Sequence, residues 1–358
     1  MYIYLHIPFC NSICSYCDFP KVLYDKKYIL NYLTSLKEEI NCRYQQEEVV
    51  SIYIGGGTPT SLDIEELEYL LEITALFQKA NHLEFTVESN VESLTPEKIV
   101  LLNRYGVNRI SLGVQSFHQK TLKQLNRHHT KEDVFQVVKT LKENKITNIS
   151  MDYIYGVNSD LKQVQQDIAT FLQLDIPHIS CYSLIIEEGT LFGVQNRNYI
   201  PEETELEMYQ QIQNTLRNHH YIQYEISNYA KEGYQSLHNL NYWNNGEYYG
   251  FGLGAVSYLN HIRITNTKSL TKYLTKEYLL SKEYEEEKVR ISNTFMLGFR
   301  KTTGININTF KEEYQKDITE IEPVKELLKE NILQIKDDHL FIHPNYLYLS
   351  NEILIKFL

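Results

Sequence analysis

Three of the five cysteines in this 358-residue chain stand within eight positions, as Cys10, Cys14 and Cys17 of "CNSICSYC". Thiolates at such spacing gather round a soft or borderline metal. A closed structural zinc site needs four ligands, usually two CxxC pairs, and no second pair follows, since Cys42 and Cys181 are remote. His6 is a side chain that could supply a fourth ligand. A [4Fe-4S] cluster on three cysteines leaves one iron open to a substrate or cofactor. Three incidental buried thiols are the bland alternative, weakened by the tight spacing in a cysteine-poor chain.

Other stretches also have the residue types for chemistry. In "GGGTPT", Gly56, Gly57 and Thr58 offer backbone N–H and C=O groups with no side chain in the way, although an ordinary turn has the same composition. Glu88, Gln115 and Asp152 close the third, fourth and fifth strand candidates, where polar side chains of a parallel barrel face its mouth; polar groups in mid-strand would be buried without partners. Arg127 is a cation for a carboxylate or half of a surface ion pair. In "HNLNYW", His238 is a potential iron ligand, with Asn239 beside it and flat faces on Tyr242 and Trp243. In a chain with 29 tyrosines, plain packing is the alternative.

The positioning elements follow from pattern. Six β-rich segments begin near Tyr2, Val49, Leu83, Arg109, Ile146 and His178, and amphipathic helix patterns lie between them, as in repeated βα units. That predicts an α/β fold, a partial (β/α)6 barrel. Thr95, Pro96 and Gly106 punctuate one helix as N-cap, first residue and stop. From about residue 200 the rhythm changes to a helix and then a Tyr- and Asn-rich connecting layer, in which "GFGLGAVS" is expected to close the barrel mouth. The tail reads as a small, mainly helical, winged-helix-like domain with a hairpin turning at Asp337–Asp338. It has no basic stripe, so a packing or lid role is preferred to DNA binding. The expected divisions are 1–225, 226–282 and 283–358.

Composition narrows the classes. With 42% hydrophobic and 23% charged residues and no apolar run of membrane length, the chain reads as soluble. Without a signal-like start it is expected in the reducing cytoplasm, where a cysteine cluster binds metal or reacts. A net charge of -11 argues against broad nucleic-acid or anionic-lipid binding.

"CNSICSYC" resembles the CxxxCxxC signature of the radical S-adenosylmethionine superfamily, and "YIGGGTPT" strengthens the likeness. Read end to end, "YLHIPFCNSICSYCDF", "SLGVQSF", "LNRHH" and "MDYIYG" are similar to the group holding oxygen-independent coproporphyrinogen III oxidase and the HemW-type haem chaperones. The resemblance implies a [4Fe-4S] cluster on Cys10, Cys14 and Cys17. It also implies S-adenosylmethionine contacts at Tyr4, Tyr16, Gly56, Gly57, Thr58, Glu88, Gln115, Arg127 and Asp152. Phe19 stands where the oxidase has a further Cys, and "HNLNYW" matches the HNxxYW pattern of the chaperones. The implied function is a haem chaperone that binds haem at His238, Asn239, Tyr242 and Trp243 and passes it to acceptors such as respiratory enzymes, with a homodimer as one assembly. The enzymatic alternative is oxidative decarboxylation of coproporphyrinogen III. Nucleic-acid modification, a third use of the same chemistry, lacks an added RNA-binding module here.

Overall fold

The computed structural model describes residues 1–158, 160–195 and 197–358. Six parallel strands form its centre: β1 Tyr2–Ile7, β2 Glu48–Gly56, β3 Gln78–Asn90, β4 Arg109–Gln115, β5 Asn148–Tyr155 and β6 His178–Ser183. Each is followed by helix, as the βα rhythm predicts. The sheet stays open: Tyr249–Phe251 adds in parallel outside β1, and Asn228–Ala230 then Ile222–Gln223 add antiparallel outside β6. "GFGLGAVS" therefore extends the edge beside β1 and does not cap the mouth. β3 starts five residues earlier than its β-propensity suggests, because Gln78 and Lys79 pair with Glu48 and Val49 despite polar side chains.

Strand alternation separates two faces. On the outer face Ile3, Leu5, Ile52, Ile54, Phe85, Val87, Ile110, Leu112, Ile149, Met151 and Ile179 are all buried in one core with the helices Lys26–Arg43, Ile64–Ile73, Pro96–Arg104, Lys131–Glu143 and Leu161–Leu174. Burying each such side chain contributes about 1.5–3 kcal/mol. The inner face is polar along its length. One register row reads Tyr4, Tyr53, Thr86, Arg109 and Asn148, and higher rows add Glu88, Ser111, Ser150, Asp152 and Ser180. Mid-strand polar groups, expected to be buried without partners, line a lumen where several bond one another, although Arg109 Nε, Thr86 Oγ1 and Asn148 Oδ1 have no partner among the described residues. Ser150 Oγ and His178 Nδ1 are 2.7 Å apart, and His178 Nε2 and the Tyr224 hydroxyl 2.8 Å.

Caps match the sequence signals. The Thr95 side chain accepts from Lys98 N–H, Pro96 opens the helix, and Gly106 follows it at φ +82. Beyond the barrel, Val256–Leu259, Ile262–Asn266 and Leu279–Tyr284 form an antiparallel sheet. Fully buried Glu39 ties this layer to the helix Lys26–Arg43. It accepts from Tyr273 OH (2.7 Å), Asn266 Nδ2 (2.7 Å) and Gly252 N–H (2.9 Å), and it pairs with Arg43.

The tail has its own apolar core around Phe295, Phe299, Phe310, Val324, Leu327 and Leu340. Its hairpin, Leu333–Lys336 with His339–Ile342, turns at Asp337 and Asp338, both at positive φ, as a two-residue turn requires.

Candidate functional site

β1 runs straight into the cysteine loop. Phe9–Cys10 pairs with Val22–Leu23, Val22 N–H donates to Pro8 O at 2.7 Å, and Tyr24 N–H to Cys10 O at 2.9 Å, closing the loop on itself. Its outer limb is held by Ser15 N–H on Leu125 O (3.3 Å) and Asn126 Nδ2 on Ile13 O (2.8 Å). Cys10, Cys14 and Cys17 all line one cavity of about 470 Å³ at the C-terminal ends of the strands.

The glycine stretch is bolted to that loop. Gly57 N–H donates to Ile7 O and Thr58 N–H to Phe9 O, both at 2.8 Å, while Thr58 Oγ1 lies 3.7 Å from Cys10 Sγ and accepts from Asn90 Nδ2 at 3.0 Å. A Cβ on Gly57 would stand 2.7 Å from the Pro8 carbonyl carbon. One on Gly56, at φ +111, would strike the His6 ring at 2.4 Å. The glycines thus admit protein first and leave their free edge to the cavity. His6 is not available as a fourth metal ligand in this arrangement: its Nδ1 meets Tyr4 OH and its Nε2 the Pro20 carbonyl, each at 2.9 Å.

Tyr16, Gly56, Gly57, Thr58, Glu88, Gln115, Arg127 and Asp152 line the same cavity as the cysteines; Tyr4 does not. The Glu88 carboxylate accepts from Tyr53 OH (2.8 Å) and Gly56 N–H (2.9 Å), and burial pushes its pKa up to about 7. Asp152 accepts from Ser111 Oγ at 3.2 and 3.3 Å, and burial raises its pKa too. A register shift between Gly113 and Gln115 puts Gln115 at φ +68, a bulge that re-aims its side chain. Arg127 is buried, not at the surface: it grips Glu92 at 3.0 and 3.3 Å and the Gly113 carbonyl at 2.6 Å. Burial opposes the Glu92 charge, yet the bonds from His129 and Arg127 hold its pKa well below the carboxylate range.

The HNxxYW residues form the helix Leu237–Trp243, which packs on β2 from within the barrel. Its N-terminus is capped by Ser236 and by buried Glu84, which accepts from Leu237 N–H (2.9 Å) and His238 N–H (3.0 Å). Asn239 reaches the cavity; His238, Tyr242 and Trp243 lie behind it. His238 is buried among Tyr2, Tyr4, Tyr53 and Tyr242, its ring 5.1 Å from that of Tyr53. Its Nδ1 is 3.0 Å from Ser51 Oγ and its Nε2 3.0 Å from Tyr242 OH. Burial lowers its pKa to about 3, so the ring is neutral, the form that ligates iron. Trp243 stacks under Arg300 of the tail at 5.4 Å.

Burial raises the pKa of the Cys10 thiol to about 11, and that of Cys17 also rises, so a bound metal would displace protons. Three thiols on one cavity are a donor set that fits an iron–sulfur cluster with one iron left open. Sequence reading missed Tyr53, Ser111, Ser180 and above all Arg109, which line the cavity from inside the barrel. Their signal was the polar half of the strand alternation.

The family model for the radical SAM superfamily matches residues 4–169, and that for the HemN C-terminal domain matches 286–345. The heme chaperone HemW of Lactococcus lactis subsp. lactis (strain IL1403) is 37% identical over 99% of this chain and 96% of its own. That of Bacillus subtilis (strain 168) is 36% identical over 99% and 98%. Among solved structures, coproporphyrinogen III oxidase (HemN) from Escherichia coli shares the fold at a TM-score of 0.87, with 18% identity over 99% of this chain and 89% of that one. With these relatives matched end to end, the chain belongs to the radical SAM superfamily and, within it, to the HemW family.

Proposed function

We propose that this protein binds haem and delivers it to haem-requiring acceptor proteins such as respiratory enzymes, acting in the cytoplasm. The observation that carries the reading is the seating of the HNxxYW helix in the lumen, so that Asn239 and the three cysteines face one cavity and His238 lies one residue behind. The names of the curated relatives support haem as the ligand. Exposed Phe19, Tyr182 and Ile185 give the cavity an apolar rim suited to a flat macrocycle.

In this reading Cys10, Cys14 and Cys17 hold a [4Fe-4S] cluster whose open iron takes S-adenosylmethionine. When bound and reduced, that pair supplies a route to a 5'-deoxyadenosyl radical. The chain's own residues do the positioning. Tyr16 and Thr58 flank the cysteines, and Tyr53 and the Gly56 amide orient Glu88 toward a cationic cofactor group. Gln115 and Asp152 present polar atoms from neighbouring strands, and Arg127 is fixed by Glu92. Tyr4 acts at one remove, through His6. Residues 1–225 form the barrel, 226–282 the layer with the haem motif and 283–358 the tail, and a homodimer joined near the cluster is one route of transfer.

Anaerobic reconstitution with iron and sulfide, then haem titration of wild type and His238→Ala, tests this. Stoichiometric haem binding weakened by the substitution, with the cluster absorbance intact, is expected. The complete cofactor constellation favours one rival, oxidative decarboxylation; turnover of coproporphyrinogen III by the reduced protein would overturn the carrier reading.

A further inference from the structure

The side chain of Arg109 is out of proportion to its partners. It opens β4 at the inner face, is 2% exposed, lines the cavity, and its Nε is buried without a hydrogen-bond partner among the described residues. The two carboxylates nearest in charge do not take its hydrogen bonds. Glu88 accepts from Tyr53 and Gly56, and Asp152 from the single Ser111 hydroxyl; both charges act on Arg109, yet among the described residues neither carboxylate is hydrogen-bonded to it. Its register neighbours repeat the pattern: Thr86 Oγ1 and Asn148 Oδ1, beside it on β3 and β5, are also buried without partners. A buried guanidinium is costly when unpaired, and its planar fork of donors matches a carboxylate in bidentate fashion.

We infer that Arg109 is the floor of a carboxylate subsite inside the barrel, which receives an acidic arm of the ligand that enters the cavity. A cavity of about 470 Å³ suits one ligand of ordinary size. Resting on the haem reading, the arm is a propionate. Arg109 shares a register row with Tyr53, whose ring lies 5.1 Å from that of His238, so an arm held there keeps the macrocycle beside the HNxxYW helix. The other source of a carboxylate is S-adenosylmethionine itself, and the experiment separates the two.

Reconstituted wild type, Arg109→Lys and Arg109→Gln are titrated with ferric haem, with its dimethyl ester from the same detergent stock, and with S-adenosylmethionine. Wild type should prefer haem to the ester by about tenfold or more, the scale of a hydrogen bond to a charged group. Arg109→Gln should abolish that preference, Arg109→Lys should keep part of it, and S-adenosylmethionine affinity should stay within about twofold. Equal binding of haem and ester by wild type, which needs no variant to fold, would overturn the subsite. So would a preference that survives Arg109→Gln while S-adenosylmethionine affinity collapses, since the carboxylate would then be the cofactor's. A wild type that binds neither porphyrin would instead overturn the haem reading and this inference with it.

Discussion

His238 has both ring nitrogens engaged, so iron can reach it only by displacing a hydroxyl. Tyr242→Phe removes the competitor at Nε2. It should raise haem affinity by about two- to tenfold, the net worth of one hydrogen bond; weaker binding would make Tyr242 part of the haem contact. His238 also carries a pH signature. Its folded pKa of about 3 lies below the unfolded value of 6.5, so between them the unfolded chain takes up a proton that the fold refuses. Its share of stability is therefore present above pH 6.5 and is lost as pH falls. Wild type should lose about 2 kcal/mol relative to His238→Gln between pH 7 and pH 5, at about 1.4 kcal/mol per unit below 6.5. Urea unfolding of both proteins at the two pH values measures this, and a pH-independent gap would contradict a neutral, buried ring.

At the scale of elements, the glycine stretch and the cysteine loop act as one part. Gly57→Ala drives a Cβ to 2.7 Å from the Pro8 backbone, which cannot swing aside as a side chain can. The expected cost is about 1–3 kcal/mol, with poorer cluster incorporation read from absorbance after reconstitution. Retained cluster and unchanged stability would mean the strap shifts freely. Much of this assembly was legible from sequence. Cysteine spacing, the strand set, the Thr95 cap and the Asp337–Asp338 turn are local signals, each decided within a few residues. Arg109 was not, because alternation shows that β4 has two faces without saying which one encloses a lumen. Nor was the work of Glu39, whose partner Tyr273 is 234 residues away. The start of β3 was missed because pairing with β2 overrode the weak β-propensity of its polar first residues.

Across the whole molecule the tail is stitched to the barrel beside the HNxxYW helix. Arg300 lies over Trp243, Lys301 donates to Asn244, Ile226 N–H donates to Arg300 O at 3.1 Å, and Thr302 Oγ1 donates to Gln223 O at 2.9 Å. Phe295, buried and stacked at 4.4 Å on Phe357, anchors the tail's core. Phe295→Ala should cost about 3–5 kcal/mol and weaken haem binding while cluster absorbance persists. Unaltered haem affinity in the destabilised variant would show that the motif helix stands without the tail. The two faces of the six strands answer to different constraints. Alternate positions are bound to the helices by packing, while the others are bound to one another across the lumen, as Ser150 is to His178 and Ser111 to Asp152. Changing one of them strands a buried partner at about 1–3 kcal/mol, so the interior of this barrel is rewritten in matched sets of residues. Ser111 and Ser180, small hydroxyls that line the cavity from β4 and β6, are where such a matched change would most directly alter what the lumen accepts.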